Sequence, residues 1–510
     1  MSNTKLLRKL ALAIAISIPG QLFGQNDPAS SARKQSDTER GRPNILWVVI
    51  DDMGCEFSCY GEEVIETPNI DRLASEGIRF TNAFLTAPVC STARSSLITG
   101  MYQTTIVAHN HQSGRGKRKI HLPEKVIPIP HLFRKAGYYT ANGNYPKRSE
   151  GLGKTDYKFQ WDESMYDGPY YFGRGVNQPF FAQLQLLGGK HRHPQSWGNG
   201  GAERLLGSVV DAEKVNLPPY YPRDPIILDD WAQYLDTVRY TDQLVGEILH
   251  QLEAEGLLEK TIIILFGDNG ISHARGKQFV YDEGIRTPLI IRGPGIETGL
   301  VRDDLVEHID LASTSLALAG LPVPDWMQGD DILAEDYKPK EAIFAARDRC
   351  GETVDMTRAV RTNRYKYIRN FFPDRPHLQP TNYKDSKPIL IRLRELHAEG
   401  KLNDLQEKLL FSPHRPAEEL YDIEADPHET INLADHPDFE GVLKSMRQRL
   451  KSWMKHTDDP GPETPEVYAA EMEYQIGRNK VNPRAYAAVK RNVDTYNRWA
   501  TERPFVPLED

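Results

Sequence analysis

Asn44–Ile50 reads NILWVVI and runs without a break into Asp51-Asp52-Met53-Gly54. A continuous apolar run rich in β-branched residues describes a strand covered on both faces, as in a parallel sheet. Its abrupt polar end leaves two carboxylates at the strand's carboxyl terminus. The pattern recurs at Thr261–Phe266 (TIIILF), which ends in Gly267-Asp268-Asn269-Gly270. Pro179–Leu187 (PFFAQLQLL) and Pro288–Arg292 (PLIIR) read as further strands, with another near Gly137–Ala141. Helical stretches alternate with them. Thr67-Pro68 opens a short helix (NIDRLASEG) that stops at Gly77, Trp231–Glu255 has helical periodicity, and the chain around Cys90 reads as loop into helix. This alternation predicts an α/β fold over residues 43–335: a large, mixed but mostly parallel sheet sandwiched by helices. Ligands of such sheets bind beyond the carboxyl ends of the strands.

After residue 335 the texture changes. Glu341–Arg347, Thr357–Thr362, Tyr365–Asn370 and Glu418–Ile423 read as short strands of an antiparallel sheet, followed by a helix over 437–455. Residues 336–455 are therefore expected to form a smaller α+β subdomain. Residues 456–510, polar with a helical middle, read as a C-terminal extension wrapping the body.

The bulk composition narrows the function. With 39% hydrophobic residues the 510-residue chain has enough for a large core. A net charge of −8 with no basic domain argues against a nucleic-acid partner. The run Gly114–Lys119 (GRGKRK) is a local basic patch, read first as a solvated loop. Lys5, Arg8 and Lys9 ahead of the apolar Leu10–Ile18, with Gly24 as a small residue for cleavage, read as a signal peptide over residues 1–24. Its removal takes the charge from −8 to −11. Residues 25–42 read as a linker. No Cys directly follows the cleavage site and no long apolar stretch lies beyond it, so no stable membrane anchor is expected and the mature protein is expected to be secreted or periplasmic. The four cysteines, Cys55, Cys59, Cys90 and Cys350, form no disulfide framework; Cys55 and Cys59 are equally compatible with a disulfide and with free thiols.

Asp51, Asp52, Asp268 and Asn269 make an all-oxygen ligand set at two strand ends. Hard divalent cations such as Ca²⁺ take such mixed carboxylate and amide sets. Each pair alone is an ordinary turn element. Two pairs, each closing a buried strand, favour a metal site.

Ala87–Gly100 reads APVCSTARSSLITG. It closely resembles the signature of the type I sulfatases, a Cys-x-Pro/Ala-x-Arg core followed by Leu-x-Thr-Gly. Thr92 stands where the usual pattern has Pro or Ala, and Met101 where Arg often follows. Asp51–Gly54 and Gly267–Gly270 match the family's two metal motifs. Arg275-Gly276-Lys277 with Tyr281–Pro288 matches the segment carrying a sulfate-binding lysine, and EELYDIEADPHETINLA from Glu418 resembles its C-terminal marker. The likeness covers residues 43–455.

The resemblance implies an alkaline-phosphatase-like fold and hydrolysis of sulfate esters or sulfamates, with a sulfated carbohydrate as substrate. It implies conversion of Cys90 to Cα-formylglycine (3-oxoalanine) by a maturation enzyme, with Arg94 stabilising the modified residue and Cys90 joining the metal ligands. A hydrated aldehyde carries two hydroxyls on one carbon: one attacks sulfur and the other later expels sulfate. Lys277 is the carried-over sulfate ligand. Lys154, in Gly153-Lys154-Thr155-Asp156, fits a second, with Lys147 as a rival. For the base that releases sulfate, Asp156, His109 and His111 are candidates. For the leaving-group acid, the segment after Pro179–Leu187 offers His191, with His193 as rival, and His273 is also expected at the pocket. Two other readings share these residues: a formylglycine-dependent phosphonate or phosphate ester hydrolase, and a catalytically inactive glycan-binding relative.

Overall fold

The computed structural model describes residues 41–192, 197 and 201–508. The expected signal peptide, most of the linker and His193 lie outside the described residues. Among the described residues, nine strands precede residue 310: β1 (Asn44–Ile50), β2 (Ile78–Phe80), β3 (Ala83–Phe84), β4 (Tyr139–Tyr145), β5 (Phe180–Leu186), β6 (Thr261–Gly267), β7 (Leu289–Arg292), β8 (Leu300–Arg302) and β9 (Val306–Glu307). Seven form one sheet in the order β4-β5-β1-β6-β7-β2-β8, while β3 pairs with β9. β4, β5, β1 and β6 are mutually parallel. β7 runs antiparallel to both β6 and β2, so the sheet is mixed.

The sheet's two faces can be read off β1. Leu46, Val48 and Ile50 pack with the Pro68–Ser75, Pro225–Ala254 and Pro388–Ala398 helices. Ile45, Trp47 and Val49 pack on the other side with the Cys90–Thr99, Ile129–Lys135 and Asp310–Leu318 helices. Both sets are buried, which is why the strand is apolar at every step. Trp47 also donates from its indole nitrogen to Ser315 Oγ at 2.9 Å, satisfying its one polar atom.

β10 (Ile343–Arg347), β11 (Thr357–Arg361), β12 (Tyr365–Asn370) and β13 (Glu418–Asp422) form a four-stranded antiparallel sheet in sequence order. The Glu440–His456 helix covers one face through Leu443, Met446, Leu450 and Trp453. The other face, through Ala345, Ala359, Ile368 and Tyr421, packs against Phe84, Leu85 and Ala93 of the larger body. The second sheet thus rests directly on the Cys90–Thr99 helix.

Two segments carry more structure than their sequence announces. Residues 371–417, between β12 and β13, contain the Pro388–Ala398 helix, which returns to the main body. The C-terminal extension forms helices Pro465–Arg478 and Pro483–Glu502. The first of these clamps the basic run GRGKRK. Glu471 accepts from the Gly114 amide at 3.0 Å, Lys117 pairs with Glu473, and Arg118 pairs with Glu471. Among the described residues, no helix is long and apolar enough to cross a membrane.

Candidate active site

Parallel register brings the ligand set together. Ile50 is level with both Leu186 of β5 and Gly267 of β6, so Asp51 and Asp268 leave the sheet at the same height. The Asp268 amide donates to Ile50 O at 2.9 Å, and the Met53 amide to Asn269 O at 3.0 Å. Asp52 sits at φ 53, in the left-handed region that few non-glycine residues occupy. Such a conformation costs on the order of 1 kcal/mol and persists where surrounding bonds over-determine it. The chain leaving β5 passes close beside this turn. A Cβ on Gly189 would lie 2.1 Å from Asp52 O, and Gly188, at φ 50, would collide with Asp51 O. Only glycines let this segment pass, and they deliver Lys190 to the carboxylates.

Asp51, Asp52 and Asp268 have carboxylate oxygens within 4.8 Å of one another. Four cations meet them. Lys154 Nζ lies 2.5 Å from Asp51 Oδ2 and 3.4 Å from Asp268 Oδ2. Lys190 Nζ lies 2.5 Å from Asp51 Oδ1, and Lys277 pairs tightly with Asp52. Arg94 Nε donates to Asp268 Oδ2 at 2.7 Å and its Nη1 to Gln185 Oε1 at 2.6 Å. Burial pushes these carboxyls up, and the cations answer it unequally. Burial and the neighbouring Asp268 leave the Asp51 carboxyl raised. For Asp52, Lys277 and Lys190 override burial and hold the group well below its ordinary value. For Asp268, Lys154 and Arg94 override it and hold the carboxyl at about 2.

A metal ion fits these residues. Asn269 Nδ2 donates to Asp52 Oδ1 and Gly270 O, both at 2.9 Å, but its Oδ1 is buried without a hydrogen-bond partner. A buried orphan amide oxygen beside three carboxylates is the donor set of a hard cation.

Cys90 is the first residue of the Cys90–Thr99 helix and is 5% exposed. Its Sγ lies 3.5 Å from Asp156 Oδ2 and 3.7 Å from Lys277 Nζ. Thr92 Oγ1 donates to Val89 O at 3.0 Å, tying down the helix's first turn. Arg94, one turn on, reaches past the sulfur to Asp268, and its Nη1 also holds Lys154 O at 3.1 Å. His111 and Asp156 each have an atom within 4.8 Å of the sulfur. Burial pulls His111 well below its ordinary value. Burial opposes ionisation of Asp156, but Lys158 and Lys154 keep its carboxyl well below the usual range. Arg115, from the clamped GRGKRK run, pairs with the same carboxylate.

The other described histidines expected here are not bonded to Cys90 or to the three carboxylates. His109 is buried near Arg358 and Asp459. His191 packs against Trp197 and Tyr240, with ring centroids 4.5 and 4.9 Å away. His273 is fully buried, bonded to Asp230 at 2.8 Å and to Arg192, with Trp231 against its ring. Lys147 is exposed and makes no ion pair among the described residues. Three contributors escaped the sequence reading. Lys190 is the immediate neighbour of His191, and a lysine in a loop carries no signal of its own. Gln185 is one of two buried glutamines, with Gln183, in an otherwise apolar strand. Tyr383, whose hydroxyl donates to Asp52 Oδ2 at 3.1 Å, arrives from residues 371–417 with no motif around it.

Burial, with Arg358 beside one and Arg192 beside the other, pulls His109 and His273 down to about 3. Between their unfolded value near 6.5 and about 3, the unfolded chain binds protons that the folded chain does not. Stability is therefore expected to fall as pH drops through that window, by up to about 1.4 kcal/mol per pH unit for each histidine. Thermal melts from pH 7.5 to 4.5 should show a shallower slope in His273→Gln than in the unmodified protein; equal slopes would remove His273 from the account.

The chain matches the Sulfatase family over residues 43–321 and the N-sulphoglucosamine sulphohydrolase C-terminal family over residues 273–379. It is 35% identical to an ulvan-active sulfatase of Formosa agariphila, an alignment covering 82% of this chain and 76% of that one. It is 29% identical to human N-sulphoglucosamine sulphohydrolase, covering 82% and 92%. A solved structure described as a complex with its substrate D-glucosamine-2-N,6-O-disulfate superposes with a TM-score of 0.56 at 21% identity, covering 82% and 99%. The chain belongs to the sulfatase family, sulfuric ester hydrolases of the alkaline-phosphatase-like fold.

Proposed function

We propose that the protein is an exported sulfatase that hydrolyses sulfate esters on a sulfated glycan, with Cys90 as the precursor of its nucleophile. The observation that carries this reading is a buried sulfur at a helix start, 3.7 Å from the Lys277 ammonium and flanked by the carboxylate cluster. Cys90 is to be oxidised to Cα-formylglycine by a maturation enzyme, which supplies a hydrated aldehyde as nucleophile. Ca²⁺ is to be held by Asp51, Asp52, Asp268 and Asn269, where it would offset the charge of the sulfate.

The chain's own residues have distinct tasks. Lys277 and Lys154 neutralise sulfate oxygens as point charges. Arg94, fixed by Asp268 and Gln185, orients the Cys90 side. His111 and Asp156, beside the sulfur, are the groups in reach of the proton that moves when sulfate leaves. Lys190 brings a further donor from the segment that also carries His191. The glycan substrate is supported by the activities for which the two relatives are named, and export by the basic and apolar run at the N-terminus.

Turnover of 4-nitrophenyl sulfate should exceed that of 4-nitrophenyl phosphate by about 100-fold or more in kcat/KM, since a site built for one oxyanion rejects another through mismatched charge and hydrogen bonds. A preference for the phosphate would overturn the reading. Mass spectrometry of the Cys90 peptide from the native host should show the aldehyde; an unmodified thiol there would favour binding without catalysis.

A further inference from the structure

Tyr383 carries the argument to a second anion position. Its hydroxyl bonds to Asp52, and its ring has an ammonium on either account: Lys277 Nζ lies 5.4 Å from the centroid and Lys387 Nζ 4.8 Å. Lys277 is answered by Asp52, Lys190 by Asp51 and Arg192 by Asp230. Lys387 is only 6% exposed, yet among the described residues no carboxylate lies within ion-pair distance of it. An unpaired buried charge is costly, so such groups normally have a partner.

The backbone around Lys387 adds to the excess. Lys387 is the N-cap of the eleven-residue Pro388–Ala398 helix. That helix start has no side-chain cap and no acidic residue in its first turn, where Asp, Ser or Glu is the usual choice. Lys384, 2% exposed and bonded to His273 O at 2.7 Å, sits just before it, also with no ion pair among the described residues. Lys387 and a helix's positive end therefore lie within the field of Asp52, while Lys384 beside them turns to the His273 carbonyl and the Phe279 ring. Burial, with Arg192 and Lys277 close by, pulls the Lys387 amine down to about 7 against the opposing pull of the more distant Asp52 and Asp230.

We propose that Lys387, with the Pro388–Ala398 helix start, binds a second oxyanion of the substrate, a carboxylate or a second sulfate on the same sugar or the next. This rests on the sulfatase reading and adds to it that the preferred substrate carries at least two negative groups. Tyr383 is shared by the two positions: its ring lies 5.4 Å from Lys277 Nζ, on which the scissile sulfate is placed, and 4.8 Å from Lys387 Nζ, on which the second anion is placed.

The test compares 4-nitrophenyl sulfate, which has one charge, with two glycans that carry the scissile sulfate plus either a carboxylate or a second sulfate. Lys387→Met should lower kcat/KM on the preferred doubly charged glycan by about 30-fold or more, through KM, as expected for losing one partner of a buried charge pair. The loss on 4-nitrophenyl sulfate should be at least ten times smaller, and Lys387→Arg should restore most of the glycan activity. Which of the two glycans shows the effect identifies the anion. Equal losses on all substrates, or a loss carried by kcat, would overturn the subsite. Because Lys387→Met removes an unpaired buried charge, its melting temperature without ligand should equal or exceed that of the unmodified protein; a marked drop would assign Lys387 to the fold instead. Calorimetric titration of Cys90→Ala with the same glycans separates the two proposals. Tighter binding of the doubly charged glycans by this protein, with no turnover by the unmodified enzyme, would keep the subsite and reject the sulfatase reading. No such preference would reject the subsite whatever the turnover.

Discussion

Cys90→Ala is expected to lower kcat on any sulfate ester by at least about 10⁴-fold, the scale on which residues that act as the nucleophile are felt. The side chain is 5% exposed, and what it faces is the proposed reacting position: Asp156 and Lys277 within 3.7 Å and the three-carboxylate cluster beyond. The neighbouring cations remain in place in the variant, so binding of sulfated ligands should survive. The fold should survive as well. Cys90 packs in a small cluster with Val89 and Cys350, and trimming one sulfur from it costs about 1 kcal/mol. Activity comparable to the unmodified enzyme would sink the assignment of the nucleophile.

Asp268→Asn should be the next most damaging change. Its side chain is fully buried, Oδ2 accepts from Arg94 at 2.7 Å and from Lys154 at 3.4 Å, and Oδ1 accepts from the Asp52 amide at 3.3 Å. The amide keeps the shape and removes the charge. Arg94 and Lys154 then face each other's field with one counter-ion fewer, in a cluster that already has four cations for three carboxylates. Removing one partner of a buried pair costs about 3–5 kcal/mol, read as a fall in the denaturant midpoint. Turnover should drop by about 10³-fold, since Arg94 loses the contact that fixes it and the proposed cation loses a ligand. Adding Arg94→Gln should return part of the stability and none of the activity. A double variant that recovers both would mean that the pair serves the fold alone.

How much of this was legible in the sequence depends on where each residue's reason lies. NILWVVI and TIIILF declare buried parallel strands, and their polar ends declare the carboxylate cluster, because both properties are local to the run. Parallel register then does the rest, placing Asp51 and Asp268 level through Ile50 and Gly267. The choice of Lys190 over His191 is not local. It is set by Gly188 at φ 50 and by the clearance between Gly189 and Asp52 O, which turn one neighbour toward the carboxylates and the other toward Trp197. His109 and His111 differ by two positions, and only packing from Arg349 and Arg358 distinguishes them. Tyr383 and Lys387 lie more than 300 residues after Asp52 in a stretch with no motif, so only the returning helix reveals them. The run GRGKRK reads as a free basic loop until the acids of the Pro465–Arg478 helix are seen beneath it.

The resting of the second sheet on the Cys90–Thr99 helix sets a clock. Cys350, which lies against Cys90, follows it by 260 residues. At roughly 5–20 residues per second, a growing chain takes on the order of 13–50 s to cover that distance. Until then Cys350 is not there to cover the thiol, and the proposed maturation enzyme would meet a more open segment in place of a 5% exposed side chain. On the proposed reading, the architecture that buries Cys90 in the finished protein gives its conversion a deadline, and conditions that hasten closure of the C-terminal half should leave more of the protein carrying an unconverted thiol.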